Sequence, residues 1–202
     1  MSDKKLCGVL SFHFLPFIFY MFNLNSINKS WTLFLDRDGV INREIKDDYV
    51  RNAEQFIFYH GVLEAMQILN ERFGVIVLVT NQRGIGRGLM TVDDLNNITA
   101  KMNTEIIAGG GRIDSVFYCT DVDSASQNRK PNIGMAKQAQ EKYQQINFSE
   151  SIMVGNKLSD MQFGRNAGMA TVFIASTNPE VVYPHTLIDA RFDSLLTFAK
   201  AL

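Results

Sequence analysis

The 202-residue sequence predicts an α/β fold: a doubly wound, Rossmann-like parallel sheet in three layers, with helices on both faces. Two observations predict it. Short apolar runs of strand length alternate with segments of helical periodicity, and every chemically loaded cluster falls just after one of those runs. Parallel strands bring such ends to one edge of the sheet, where open α/β sheets bind ligands. No internal repeat or second core is visible, so one domain over residues 27–202 is expected, with residues 1–26 as an extension outside it.

Residues 31–35 read as a buried strand, and Gly39 permits the sharp turn after it. Residues 45–55 are polar and irregular. Val62, Met66, Leu69 and Phe73 then recur at helical spacing. Residues 75–79 form an apolar, mostly β-branched run, too short for a buried helix, which ends in Thr80-Asn81 and reads as a central parallel strand. Thr91 followed by Asp94 resembles a capping box, opening a helix that ends before Gly109-Gly110-Gly111. A strand at 115–118, a polar loop at 119–128 and a helix at 133–143 follow. A short strand at 152–154 ends at Gly155, and residues 170–174 form the fifth strand.

Composition narrows the classes. Hydrophobic residues make up 46% and charged residues 20%, the range of soluble globular domains. A net charge of −1 gives no global pull toward nucleic acid or anionic membrane, so neither is expected as a partner. A monomer is the expected state. Cys7 and Cys119 make no disulfide framework and suit a reducing cytoplasm. The apolar residues 8–22 follow Lys4 and Lys5 as the front of a secretory signal would. His13 and Pro16 interrupt them, no small-residue cleavage site follows, and the run is short of the roughly 20 residues that span a bilayer. An extension is the expected reading, with Met21 as an alternative start.

Chemistry concentrates at four strand ends: Asp36 and Asp38, Thr80-Asn81, Arg129-Lys130, and Gly155-Asn156-Lys157 with Asp160. Taken singly, each is ordinary, since Asp-x-Asp occurs in turns, Thr-Asn closes strands and Arg-Lys is usually a solvated pair. Two carboxylates one residue apart can divide a hydrolysis between them, Asp36 attacking phosphorus and Asp38 moving protons. Thr80, the amide at Asn81 and Lys130 supply the donors that phosphoryl oxygens need.

In this order the four clusters resemble the motifs of the haloacid dehalogenase superfamily of phosphatases. More narrowly, residues 36–42, 80–88, 129–131 and 154–162 are similar to the D-glycero-D-manno-heptose-1,7-bisphosphate phosphatase branch, and histidinol-phosphate phosphatases share most of the pattern. The resemblance implies a haloacid dehalogenase-type sheet with minimal or no cap, open to a small phosphorylated sugar or metabolite. It also implies an aspartyl-phosphate intermediate on Asp36 and Mg²⁺ held by Asp36, the main-chain carbonyl of Asp38 and residue 156, supported by Asp160. Arg129, Lys157, Gln82 and Arg83 are further candidates for phosphate, and Asp48 and Tyr49 for a flap touching substrate.

Two departures stand out. Asn156 occupies the place of an expected aspartate ligand; its amide oxygen can bind Mg²⁺, but a full negative charge is missing. That substitution keeps open a catalytically weakened phosphate-binding protein beside the enzyme. Many relatives also carry a Cys/His zinc cluster in the loop after Cys119. Here Cys119 stands alone and His13, His60 and His185 lie elsewhere, so a zinc-free loop held by hydrogen bonds is expected.

Overall fold

The computed structural model describes residues 23–202. The apolar segment 8–22, Cys7, His13 and the alternative start at Met21 lie outside the described residues. A single 3-10 turn at Leu24–Ser26 leads in, and Leu24 packs against the core.

Six strands form one parallel sheet: β1 (Thr32–Leu35), β2 (Val75–Asn81), β3 (Ser115–Cys119), β4 (Ser151–Gly155), β5 (Ala170–Ile174) and β6 (Ala190–Phe192). Their order in the sheet is β3-β2-β1-β4-β5-β6. The chain therefore winds outward from β1 in both directions, and the crevice at such a switch point lies beyond the carboxyl ends of β1 and its neighbours.

Side chains along each strand alternate between faces. Leu33 and Leu35, Ile76 and Leu78, and Ile152 and Val154 point to one side, where they meet helices α1 (Val62–Arg72), α3 (Val92–Ala108) and α6 (Leu195–Lys200). Phe34, Val77 and Met153 point to the other, against α4 (Gly134–Lys142) and α5 (Leu158–Ala167). Because β1, β2 and β4 are covered on both faces, they read as continuous apolar runs rather than alternating ones.

The expected strands and helices are present within a residue or two of their predicted bounds, and Thr91 and Asp94 do form the capping box of α3. The sequence pattern carries no clear signal for β6, a three-residue strand containing Arg191, nor for α6 or the one-turn helix α2 (Arg83–Gly86). These elements are too short for a period to register. Helix α5 is masked differently: its first turn exposes Leu158 and buries Asp160, the reverse of the usual hydrophobic reading. Among the described residues, no helix is long and apolar enough to cross a membrane.

Candidate active site

A cleft of about 380 Å³ opens at the carboxyl end of the sheet. Of the candidate catalytic, phosphate-binding and metal-binding residues named from the sequence, all but Asn156 line it. At its floor lies Asp36, one residue past β1, whose backbone N–H donates to the Val154 carbonyl at 2.9 Å and so continues the pairing with β4.

Lys130 reaches this point from the loop before α4. Its ammonium donates to Asp36 Oδ1 and to the Val79 carbonyl at 2.8 Å each, and pairs with Asp160 Oδ1 at 2.8 Å. All three ammonium hydrogens are thus engaged, so Lys130 offers an incoming phosphate its charge before it can offer a donor. Asn81 positions it: Lys130 N–H donates to Asn81 Oδ1 at 3.1 Å and Asn81 Nδ2 returns a bond to the Lys130 carbonyl. Burial pushes the Asp36 carboxyl up, Lys130 only partly offsets this, and nearby Asp160 adds to the rise, leaving Asp36 at about 6. Burial also works against the Lys130 charge, but the two carboxylates outweigh it and hold the ammonium above its ordinary range.

Asp38 has a different environment. Arg37 donates to both of its oxygens at 2.9 Å, Asn42 Nδ2 donates at 2.9 Å and Gln82 Nε2 at 3.1 Å. Burial raises the Asp38 carboxyl, yet the Arg37 charge and these hydrogen bonds prevail and bring it below its ordinary value. A proton-handling role would favour a raised value; Arg37, only 1% exposed, is what reverses it. Gln82 also donates to the Thr80 hydroxyl at 2.8 Å, which ties the end of β2 to Asp38.

The cleft lining mixes the basic Arg37, Arg83, Arg129, Lys130 and Lys157 with the acidic Asp36, Asp38, Glu44, Asp47, Asp48 and Asp160. Arg129 is pushed below the usual guanidinium range by its burial and then by the charge of Arg83, with Arg87 adding to it, so these two arginines are near enough to bear on it. Arg83 is braced on the Val122 carbonyl at 2.9 Å. Asp48 is exposed and paired with Arg51 at 2.6 Å, and the Tyr49 ring packs beside Gly84. Lys157 pairs with Glu44 at 3.0 Å. The loop after β3 is held by hydrogen bonds: Ser126 donates to Asp121, Asn132 Nδ2 to the Ser126 carbonyl at 2.9 Å, and Gly134 N–H to the Gln127 carbonyl at 2.9 Å.

Asn156 is fully buried behind the cleft wall. Its Nδ2 donates to Thr177 Oγ1 at 2.5 Å and lies 3.4 Å from Glu44 Oε2, whereas its Oδ1 has no partner. Among the described residues, no three His, Cys, Asp or Glu side chains converge as a metal cluster. A divalent cation here would therefore rest on Asp36 and neutral oxygens, and the orphaned amide oxygen of Asn156 is of the kind a hard cation takes. The Asp38 side-chain oxygens are occupied by donors, which is compatible with its main-chain carbonyl as the ligand. Both Asp160 oxygens are engaged as well, one by Lys130 and the other by the Lys157 N–H at 3.0 Å, which suits an indirect role.

Two residues of this site escaped the sequence reading. Arg37 had a signal, a cation enclosed by two aspartates. Glu44 had none, because its partners Asn156 and Lys157 are more than a hundred positions away and meet it only in the folded chain.

The family model described as Polynucleotide kinase 3 phosphatase matches residues 33–180. The D-glycero-alpha-D-manno-heptose-1,7-bisphosphate 7-phosphatase of Mycobacterium bovis is 37% identical over 85% of this chain and 91% of its own length. The D-glycero-beta-D-manno-heptose-1,7-bisphosphate 7-phosphatase of Yersinia pestis is 32% identical over 84% and 94%. Among solved structures, the D,D-heptose 1,7-bisphosphate phosphatase of B. bronchiseptica, complexed with magnesium and phosphate, superposes with a TM-score of 0.76 at 28% identity, covering 85% of this chain and 97% of that one.

Fold and site together define a phosphatase of the haloacid dehalogenase superfamily. Within it, the chain belongs to the family of the heptose-1,7-bisphosphate phosphatases.

Proposed function

We propose that this phosphatase removes the 7-phosphate from a D-glycero-D-manno-heptose 1,7-bisphosphate, with Mg²⁺ as cofactor. The observation that carries the reading is the Lys130 ammonium between Asp36 and Asp160 at the floor of a cleft whose lining also includes Arg83, Arg129 and Lys157. Asp36 attacks phosphorus in line, forming an aspartyl-phosphate as the sugar oxygen departs. Asp38 gives that oxygen its proton, then takes one from the water that cleaves the intermediate. Arg37 holds Asp38 ionised and ready for the second half, so the first half requires Asp38 to pick up a proton as substrate displaces its donors.

Thr80, the Asn81 amide and the Lys130 charge neutralise the equatorial oxygens. Asp36, the Asp38 carbonyl and Asn156 would hold Mg²⁺, with Asp160 in support, and the bound ion would supply charge neutralisation and alignment of the phosphate. Arg129, Arg83 and Lys157 serve the second phosphate, while Gln82, Asp48 and Tyr49 contact the sugar. The phosphatase unit spans residues 27–202, acts as a cytoplasmic monomer and needs no structural zinc.

Relatives of similar identity are named for both anomers, so both belong in the assay. Phosphate release with Mg²⁺ is to be compared for the α and β bisphosphates, histidinol phosphate and a 3′-phosphorylated oligonucleotide. One heptose bisphosphate is expected to turn over fastest, and Asp36→Asn to abolish it. Faster release from either of the other substrates would reject the heptose assignment.

A further inference from the structure

The orphaned Asn156 oxygen has a cause in its surroundings. The two ends of a side-chain amide are nearly equal in size, so packing cannot choose between them; their hydrogen-bond partners do. The amide lies flat against Gly39, where a Cβ would fall 2.0 Å from Nδ2, and this close fit fixes its plane. Thr177 Oγ1, at 2.5 Å from Nδ2, is ambivalent, because a hydroxyl can accept from nitrogen or donate to oxygen. It already accepts from Asn178 Nδ2 at 3.1 Å. Glu44 is the partner that decides. Its carboxylate, paired with Lys157 at 3.0 Å, has nothing to donate and lies 3.4 Å from Nδ2. Turning the amide over would set oxygen against oxygen.

We infer that Glu44 is a positioning residue: it selects the Asn156 orientation that leaves the amide oxygen free for a hard cation, so a neutral ligand can stand where an aspartate would need no orienting. The inference rests on Asn156 being a ligand, as proposed above. A carboxylate presents oxygen from either branch, so the orienting part of the dependence on Glu44 should vanish when residue 156 is one, leaving only the effect of the Glu44 charge.

The test is a double-mutant cycle read by calorimetric Mg²⁺ binding to the full chain rather than by turnover, using the unaltered protein, Glu44→Gln, Asn156→Asp and the double variant. Glutamine keeps the shape but can present either end to Asn156. Thermal melts check folding, and Glu44→Ala provides a second cycle if Glu44→Gln melts early. In the Asn156 chain, Glu44→Gln is expected to weaken Mg²⁺ binding about tenfold, the scale of one hydrogen bond to a charged group. In the Asn156→Asp background the loss should shrink to about threefold or less, the share due to the Glu44 charge alone. Equal losses in both backgrounds would overturn the inference while leaving Asn156 a ligand. Unchanged Mg²⁺ affinity in Asn156→Ala would instead remove the ligand reading on which it rests.

Discussion

At the scale of single residues, the site depends on one ammonium bridging two carboxylates. Removing it in Lys130→Met leaves Asp36 and Asp160 buried without their cation, which costs roughly 3–5 kcal/mol for a broken buried pair. Urea unfolding in metal-free buffer measures that loss. Asp36 also gives the site a pH dependence. A carboxyl raised from 3.8 to about 6 on folding is favoured while protonated, so its penalty is absent below 3.8 and complete above about 6. A cation must displace that proton, and Mg²⁺ affinity is expected to be flat above pH 6 and to fall toward tenfold per pH unit below it, with proton release on binding. Calorimetry in buffers of different ionisation enthalpy checks both. Asn156→Asp restores a charge and should lower the Mg²⁺ concentration for half-maximal turnover; an unchanged Mg²⁺ dependence would deny Asn156 a place among the ligands.

At the scale of elements, the turn after β1 matters most. Gly39 has a φ of +88° and lies against the Asn156 amide, so it is required both by backbone and by space. Gly39→Ala is expected to lower stability by about 1 kcal/mol or more from the positive φ alone. It should also weaken Mg²⁺ binding by displacing Asn156, which thermal melts with and without Mg²⁺ would separate. The loop after β3 makes a second case. It is tied by hydrogen bonds from Ser126, Asn132 and Gly134, and metal analysis of the purified protein is expected to find no stoichiometric zinc.

At the scale of the whole molecule, the sheet order turns four scattered motifs into one site. With β1 between β2 and β4, the residues that follow these strands share one edge, and Lys130 crosses to them from the loop ahead of α4. Within the cleft, Arg129 with Arg83 near it is the part proposed to meet a second phosphate. Arg129→Ala is therefore expected to raise KM for a heptose bisphosphate about tenfold while leaving KM for p-nitrophenyl phosphate nearly unchanged, as steady-state kinetics would show. The alternation of apolar runs and helical periods determined the layered parallel sheet, since burial on both faces leaves a direct mark on composition. The strand-end motifs likewise made Asp36, Asp38, Thr80 and Lys130 legible, because each lies in a short motif whose residues are neighbours in sequence. Short elements such as β6 and α6 were not, having too few residues for a period. Only the tertiary structure decided that Arg37 lowers Asp38, that Lys130 has no spare hydrogen and that Glu44 faces the Asn156 amide. Charge and hydrogen bonding act through a few ångströms of space, and no pattern along a chain records which distant side chains folding will bring within that reach.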